Sequence, residues 1–132
     1  MTVFLDTVGL MALWDEDDQW HGAAEAGFAR LEAERAELVT TNFVLLECGN
    51  AAARRPYRSA PGRLRKNLEL QGKLISPTVK DWETAWTNYE NGGMDAPGIV
   101  DHVSFVVMKR LDIAQAFTND RHFRAAGFET LF

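Results

Sequence analysis

Two periodicities of hydrophobic and polar positions alternate along the chain. Val3, Phe4 and Leu5 form a continuous apolar run closed by Asp6 and Thr7, which predicts a buried strand over residues 3–7 with polar chemistry at its C-terminal end. Residues 9–14 then predict a short helix. From residue 17 to 36 the period lengthens: Trp20, Ala24, Phe28 and Leu31 recur at helical spacing in an Ala- and Glu-rich stretch, with Asp17 or Asp18 placed to cap it. ELVTT, residues 37–41, predicts a second strand, followed by a helix that starts at Asn42 as its cap. Pro56, Pro61 and Gly62 interrupt the middle of the chain, leaving a shorter helix over residues 63–71. LISP, residues 74–77, predicts a third strand. A helix over residues 79–89 carries Trp82, Trp86 and Tyr89 on one side, which places these rings in the core. A Gly-rich loop at 91–98 leads into a helix over 99–111, and residues 114–120 predict a last strand ending in polar residues.

Short strands alternating with helices define an α/β class, an α/β/α sandwich in three layers around a mostly parallel sheet. At 132 residues with 46% hydrophobic content, the chain is expected to form one domain over residues 1–132. The single Cys48 excludes an internal disulfide and fits a reducing compartment; its apolar neighbours predict a buried thiol. The N-terminus has no Lys or Arg before its apolar run and is interrupted by Asp6, unlike a secretory signal. No run reaches the ~18 apolar residues of a membrane span, so the expected compartment is the cytoplasm.

Charge adds a contrast. The formal net charge of −5 argues against an indiscriminate polyanion binder. Residues 54–66 nevertheless hold Arg54, Arg55, Arg58, Arg63, Arg65 and Lys66, six of the fourteen basic residues. Such a segment is either a solvated face or a patch that contacts phosphates.

The acids carry the chemistry. In open α/β sheets, ligands bind beyond the carboxyl ends of the strands, where the predicted elements place both Asp6 and Asp120. Glu47 lies in an otherwise apolar helix and is expected to turn inward, while Asp101 opens the helix that buries Phe105 and Met108, with Ser104 one turn on. Singly, each has a structural explanation as a helix cap, turn residue or solvated edge residue. Together, four carboxylates directed at one end of a sheet would repel one another unless a cation sits between them. Oxygen ligands without a Cys/His cluster suit Mg²⁺ or Mn²⁺. His21, His102 and His122 lack zinc-type spacing and are expected on the surface or supporting other ligands.

Four pieces in order, FLDT, TTNFVLLEC, VDHVSFVVMKRL and AFTNDRHFRAAGF, make the whole chain resemble the PIN-domain nucleases, and within them the VapC toxins of bacterial toxin–antitoxin modules. The resemblance implies a Mg²⁺- or Mn²⁺-dependent endoribonuclease that hydrolyses phosphodiesters with metal-activated water. It also implies a homodimer and a cognate antitoxin that occludes the site. Carried over by position, the acids are Asp6, Glu47, Asp101 and Asp120. The chemistry of phosphodiester hydrolysis makes Asp6 and Asp101 the expected direct metal ligands, with Glu47 and Asp120 ligating, holding metal-bound waters or accepting a proton from the attacking one. Thr7, Ser104 and Thr118 fall where the family often places supporting hydroxyls. The sequence departs from the family around MDAPGIVD, which leaves Asp95 and His102 without an assigned role. Arg54, Arg55 and Arg58 are candidate contacts to RNA phosphates. The competing readings are a protein-binding module with a degenerate acidic site and a solitary RNA-processing nuclease. Receiver or haloacid-dehalogenase-like phosphotransfer domains also place an Asp after the first strand, but they want further acids beside it that are absent from Asp6, Thr7, Val8.

Overall fold

The computed structural model describes residues 1–132 and contains one five-stranded sheet flanked by seven helices. The strands are β1 (Thr2–Leu5), β2 (Glu37–Thr41), β3 (Leu74–Ile75), β4 (Gln115–Phe117) and β5 (Glu129–Thr130). All pairings are parallel and the spatial order is β3-β2-β1-β4-β5. The α/β sandwich expected from the alternating pattern is therefore the observed architecture. Between the strands run α1 (Thr7–Trp14), α2 (His21–Ala33), α3 (Asn42–Ala52), α4 (Ala60–Leu70), α5 (Val79–Glu90), α6 (Ile99–Arg110) and α7 (Arg121–Ala125).

The chain winds outward from β1 through β2 to β3, then crosses back to β4 on the other side of β1. The connections thus diverge between β1 and β4, the switch point at which such sheets bind ligands. The two strands pair through Val3 with Gln115, Phe4 with Ala116 and Leu5 with Phe117, so Asp6 and Thr118 emerge side by side. Phe4, Leu5, Phe117 and Phe123 are fully buried in the core between sheet and helices. Helix α1 lies so close to the end of β4 that a Cβ on Gly9 would stand 2.0 Å from the Phe117 carbonyl oxygen. Only glycine permits that approach, which holds the start of α1 beside the residues after β4.

Several boundaries differ from expectation for local reasons. Helix α2 starts at His21 because the Asp15 and Asp18 side chains accept from the Asp17 and Trp20 amides and hold residues 15–20 in turns. Thr41, not Asn42, caps α3, its hydroxyl accepting from Val44 N at 3.2 Å. Helix α4 begins at Ala60 and carries Pro61 in its first turn, where a missing N–H costs nothing. Strand β4 stops at Phe117, and β5, two residues long, shows no alternation to read.

The aromatic side of α5 is a larger correction. Trp82 and Tyr89 are 39% and 43% exposed, and with the half-buried Trp86 they form a surface row rather than core. Phe43 stacks on Trp82 at 5.1 Å between ring centroids, followed edge-on by Trp86 and Tyr89. The buried face of α5 instead carries Ala85 and a carboxylate, Asp81. Asp81 forms a capping box with Thr78 and takes hydrogen bonds from the Arg110 guanidinium at 2.7–3.0 Å, fastening α5 to α6.

Candidate active site at the switch point

Each of the four predicted acids is placed by an element end or helix face near the β1/β4 divergence. Asp6 follows β1 and caps α1, one carboxylate oxygen accepting from Val8 N at 3.3 Å and from the Thr118 hydroxyl at 2.8 Å. Asp120 follows β4 and caps α7, accepting from His122 N at 2.9 Å. Asp101 stands in the first turn of α6, whose cap is Gly98, so its carboxylate is free of capping duty. Glu47 is exposed on α3 rather than turned into the core, yet its Oε1 accepts from the Thr7 hydroxyl. Asp6, Glu47, Asp101 and Asp120 line one open cavity of about 520 Å³, together with Thr7, Gly98 and Tyr89. Capping and convergence are the same fact for Asp6 and Asp120, because the chain turns into its helices at the edge of this cavity.

The predicted supporting residues separate. Thr7 holds Glu47, and Thr118 is fully buried between Asp6 and the Asp120 backbone N–H, which it accepts at 3.1 Å. Ser104 is also buried, but its hydroxyl donates to the Val100 carbonyl in its own helix and hydrogen-bonds none of the carboxylates. In the basic segment, Arg55 pairs with Asp15 at 3.1 Å and Arg58 donates to the Ala53 carbonyl, whereas Arg54 is exposed and makes no side-chain hydrogen bond.

Of the three histidines expected on the surface or supporting other ligands, His122 takes the supporting role. The His122 ring lies between Asp120 Oδ1, 3.0 Å from Nδ1, and the Asp95 carbonyl oxygen, 2.9 Å from Nε2. It ties the 91–98 loop to the acidic site. A histidine two residues after an Asp at a helix start is the only local signal; the carbonyl partner lies 27 residues away and leaves none. Asp95 thus contributes its backbone, not its carboxylate. Tyr89 was missed because it reads as a core ring.

The electrostatics are those of crowded, uncompensated anions. Asp6 is 1% exposed and its Oδ1 is buried with no hydrogen-bond partner. Burial, then the Asp101 charge, push its carboxyl up to about 7, against the hydrogen bonds from Thr118 and Val8. Asp101 is raised to about 6 by burial and by Asp120 and Glu47, with His122 opposing. Cys48, underneath, is pushed up to about 12 by burial, so it is an inert thiol. Donor atoms of Asp101, Asp120 and His122 lie within 4.8 Å of one another. A divalent cation fits this set of three, to which Asp6 does not belong, and would relieve the mutual repulsion that adds to burial in raising the carboxyl pKa values.

The sequence pattern of the PIN domain matches residues 3–129 of this chain. The chain belongs to the PIN-domain family. Within it, the chain is 32% identical to the 23S rRNA-specific endonuclease VapC20 of Mycobacterium tuberculosis over 128 residues, 96% of this chain and 95% of that protein, in both strains compared. The crystal structure of Mycobacterium tuberculosis VapC20, described as a sarcin-ricin loop cleaving toxin, superposes with a TM-score of 0.80 at 30% identity, covering 96% of this chain and 95% of that one. The chain is thus VapC-like, as its sequence motifs indicated. FitAcB from Neisseria gonorrhoeae shares the fold at 15% identity, with a TM-score of 0.64 over 100% of this chain and 97% of that one.

Proposed function

We propose that the chain is a divalent-cation-dependent endoribonuclease, a single nuclease domain over residues 1–132 that serves as the toxin of a VapBC-type pair. The observation that carries this reading is the convergence of four carboxylates on one cavity, with a buried Asp6 oxygen lacking any partner. Mg²⁺ or Mn²⁺ is the cofactor, held by Asp6 and Asp101 with Asp120 beside them. When bound, the cation supplies Lewis-acid stabilisation of the charge that develops on the phosphodiester and its leaving oxygen.

The side chains do the rest. Thr118 fixes the Asp6 carboxylate, and its contact with the Asp120 amide couples the two strand ends. Glu47, exposed and oriented by Thr7, accepts the proton from the attacking water. Arg54 contacts a flanking phosphate, offsetting the acidity of the cavity; Arg55 and Arg58 assist once they exchange their internal partners for RNA. The resemblance to an rRNA endonuclease supports ribosomal RNA as substrate and hence a cytoplasmic site of action. No helix is long and apolar enough to cross a membrane. A cognate antitoxin covering the cavity and a homodimer complete the reading. The exposed Leu46, Val79, Trp82 and Tyr89 on α3 and α5 supply an apolar face for self-association.

The test is cleavage of 23S rRNA and short structured RNAs by the purified chain with Mg²⁺, Mn²⁺ or EDTA. Metal-dependent cleavage is expected. Cutting that persists in EDTA, or in both Asp6→Asn and Asp101→Asn, would overturn the proposal.

A further inference from the structure

A second cavity adjoins the acidic one and lacks its carboxylates. It measures about 480 Å³ and lies between α5, α6 and α7, within the size range of small-molecule sites. Its walls include Asn88, His102, Phe105, Lys109, His122 and Ala125, and none of its lining residues is an Asp or Glu. That composition is unusual on a chain of net charge −5. Lys109 is exposed and forms no ion pair, and His102 Nε2 is buried without a hydrogen-bond partner. The His102 and Phe105 rings meet edge-on at 5.9 Å.

The two cavities share a wall. His122 lines the second cavity while its Nδ1 sits 3.0 Å from Asp120, a residue of the first. A hollow lined by Asp95, Arg121, His122 and Ala125 continues along the same edge. A ligand extending from the acidic centre past His122 therefore enters an acid-free space with aromatic edges, an amide, a hydroxyl from Thr84 and an unpaired ammonium.

We propose that this α5/α6/α7 cavity receives the base of a single-stranded RNA nucleotide adjacent to the scissile phosphate. The half-buried His102 imidazole offers the stacking face, with the buried Phe105 ring edge-on behind it; Asn88 and Thr84 offer both donors and acceptors to a base edge, and Lys109 meets the phosphate. The chemistry favours a nucleotide over a polypeptide. The site pairs a flat-ring environment with a lone cation, and it opens toward a centre that acts on phosphodiesters. The inference rests on the ribonuclease reading for its substrate, not for its existence as a site.

The test measures anisotropy of a fluorescein-labelled single-stranded RNA decamer in EDTA, with wild type, Ala125→Trp, Lys109→Gln and Asn88→Ala. Ala125 is exposed at the cavity mouth, so an indole there fills the space without entering the core. Ala125→Trp should weaken binding about five- to a hundredfold, the worth of one stacked base. Lys109→Gln and Asn88→Ala should weaken it severalfold less. A single abasic residue walked through the decamer should cost wild type a similar factor at one position and cost Ala125→Trp nothing more there. Lys109→Gln and Asn88→Ala, both at exposed positions, read the same cavity should Ala125→Trp fail to fold. Wild-type affinity in the filled variant, or indifference to every abasic position, overturns the proposal and leaves the cavity to a protein partner. Mn²⁺-supported cleavage run in parallel separates the two readings. Base-dependent binding without cleavage would sink the nuclease assignment but not the cavity, and cleavage with no effect of filling would do the reverse.

Discussion

Asp6 and Asp81 are both almost fully buried, at 1% and 3% exposed, yet their surroundings are opposite. Asp81 receives the Arg110 guanidinium on both oxygens and the Thr78 amide. Burial works to raise its pKa, but those hydrogen bonds and the Arg110 charge outweigh it, leaving the carboxyl below its ordinary value of 3.8. Asp6 has one hydroxyl, one amide, an orphaned oxygen, and Asp101 and Asp120 as electrostatic neighbours. One carboxylate joins two helices; the other is held at a cost to the fold, with no cationic side chain beside it to offset its charge. A buried acid with a complete set of partners is architecture, whereas one kept short of partners beside others of like charge marks a site.

The largest effects are expected at the site. Asp6→Asn and Asp101→Asn should each lower RNA cleavage by more than about a hundredfold, since even outer partners of ligands are worth 10–100-fold, while leaving the metal-free chain as stable as wild type or more so. Urea melts alongside single-turnover cleavage check both halves.

The next effect is on stability alone. Arg110→Met leaves Asp81 buried and unpaired and should cost about 2–3 kcal/mol, discounted from a wholly buried pair because the Arg110 side chain is 39% exposed. Cleavage per folded molecule should not change, and a urea midpoint with an active-site titration would show it.

The pH dependence separates the two carboxylates by sign. The folded pKa of Asp6 is about 7 against an ordinary 3.8, so between those values the folded chain binds the extra proton. Metal-free stability should therefore fall as pH rises from about 4 to 7, by an amount on the order of a few kcal/mol. Asp101, raised to about 6, adds to the same slope over the lower part of that window. Asp81 contributes in the other direction, its stabilisation being present above 3.8 and lost as pH falls below it. Asp6→Asn should flatten the first slope, and Arg110→Met should blunt the acid limb, both read from chemical melts across pH in EDTA.

The smallest effect belongs to the basic segment. Arg54→Gln should weaken RNA binding modestly and lower its salt slope by about 0.7, the contribution of one phosphate contact on a single strand. An unchanged slope would make the segment a solvated face.

How much of this was legible in the sequence follows from what each feature depends on. The apolar run before Asp6 and the helical spacing from Trp20 to Leu31 are local, so the strand and helix they predict are present, offset by a few residues where the Asp15 and Asp18 side chains hold turns. The meeting of Asp6 and Asp120 was legible because strand ends in a parallel sheet share one edge. The exposure of Glu47, Trp82 and Tyr89 was not, since periodicity tells that residues share a face and not which face meets the core. Which of the histidines supports the acids was not legible, because the partners of His122, an acid two residues before it and a distant carbonyl, come together only once the 91–98 loop has folded against α7. Gly9 gave no warning either, as its role depends on the Phe117 carbonyl brought against it by β4.

Whether the strand-end carboxylates form a cation site is decided by calorimetric titration of the metal-free chain with Mn²⁺ at neutral pH. Saturable binding is expected, with release of the proton that Asp6 retains, a matching rise in the urea midpoint, and loss of both in Asp6→Asn but not in Arg110→Met. Absence of binding to the wild type, or equal binding to Asp6→Asn, would contradict such a site.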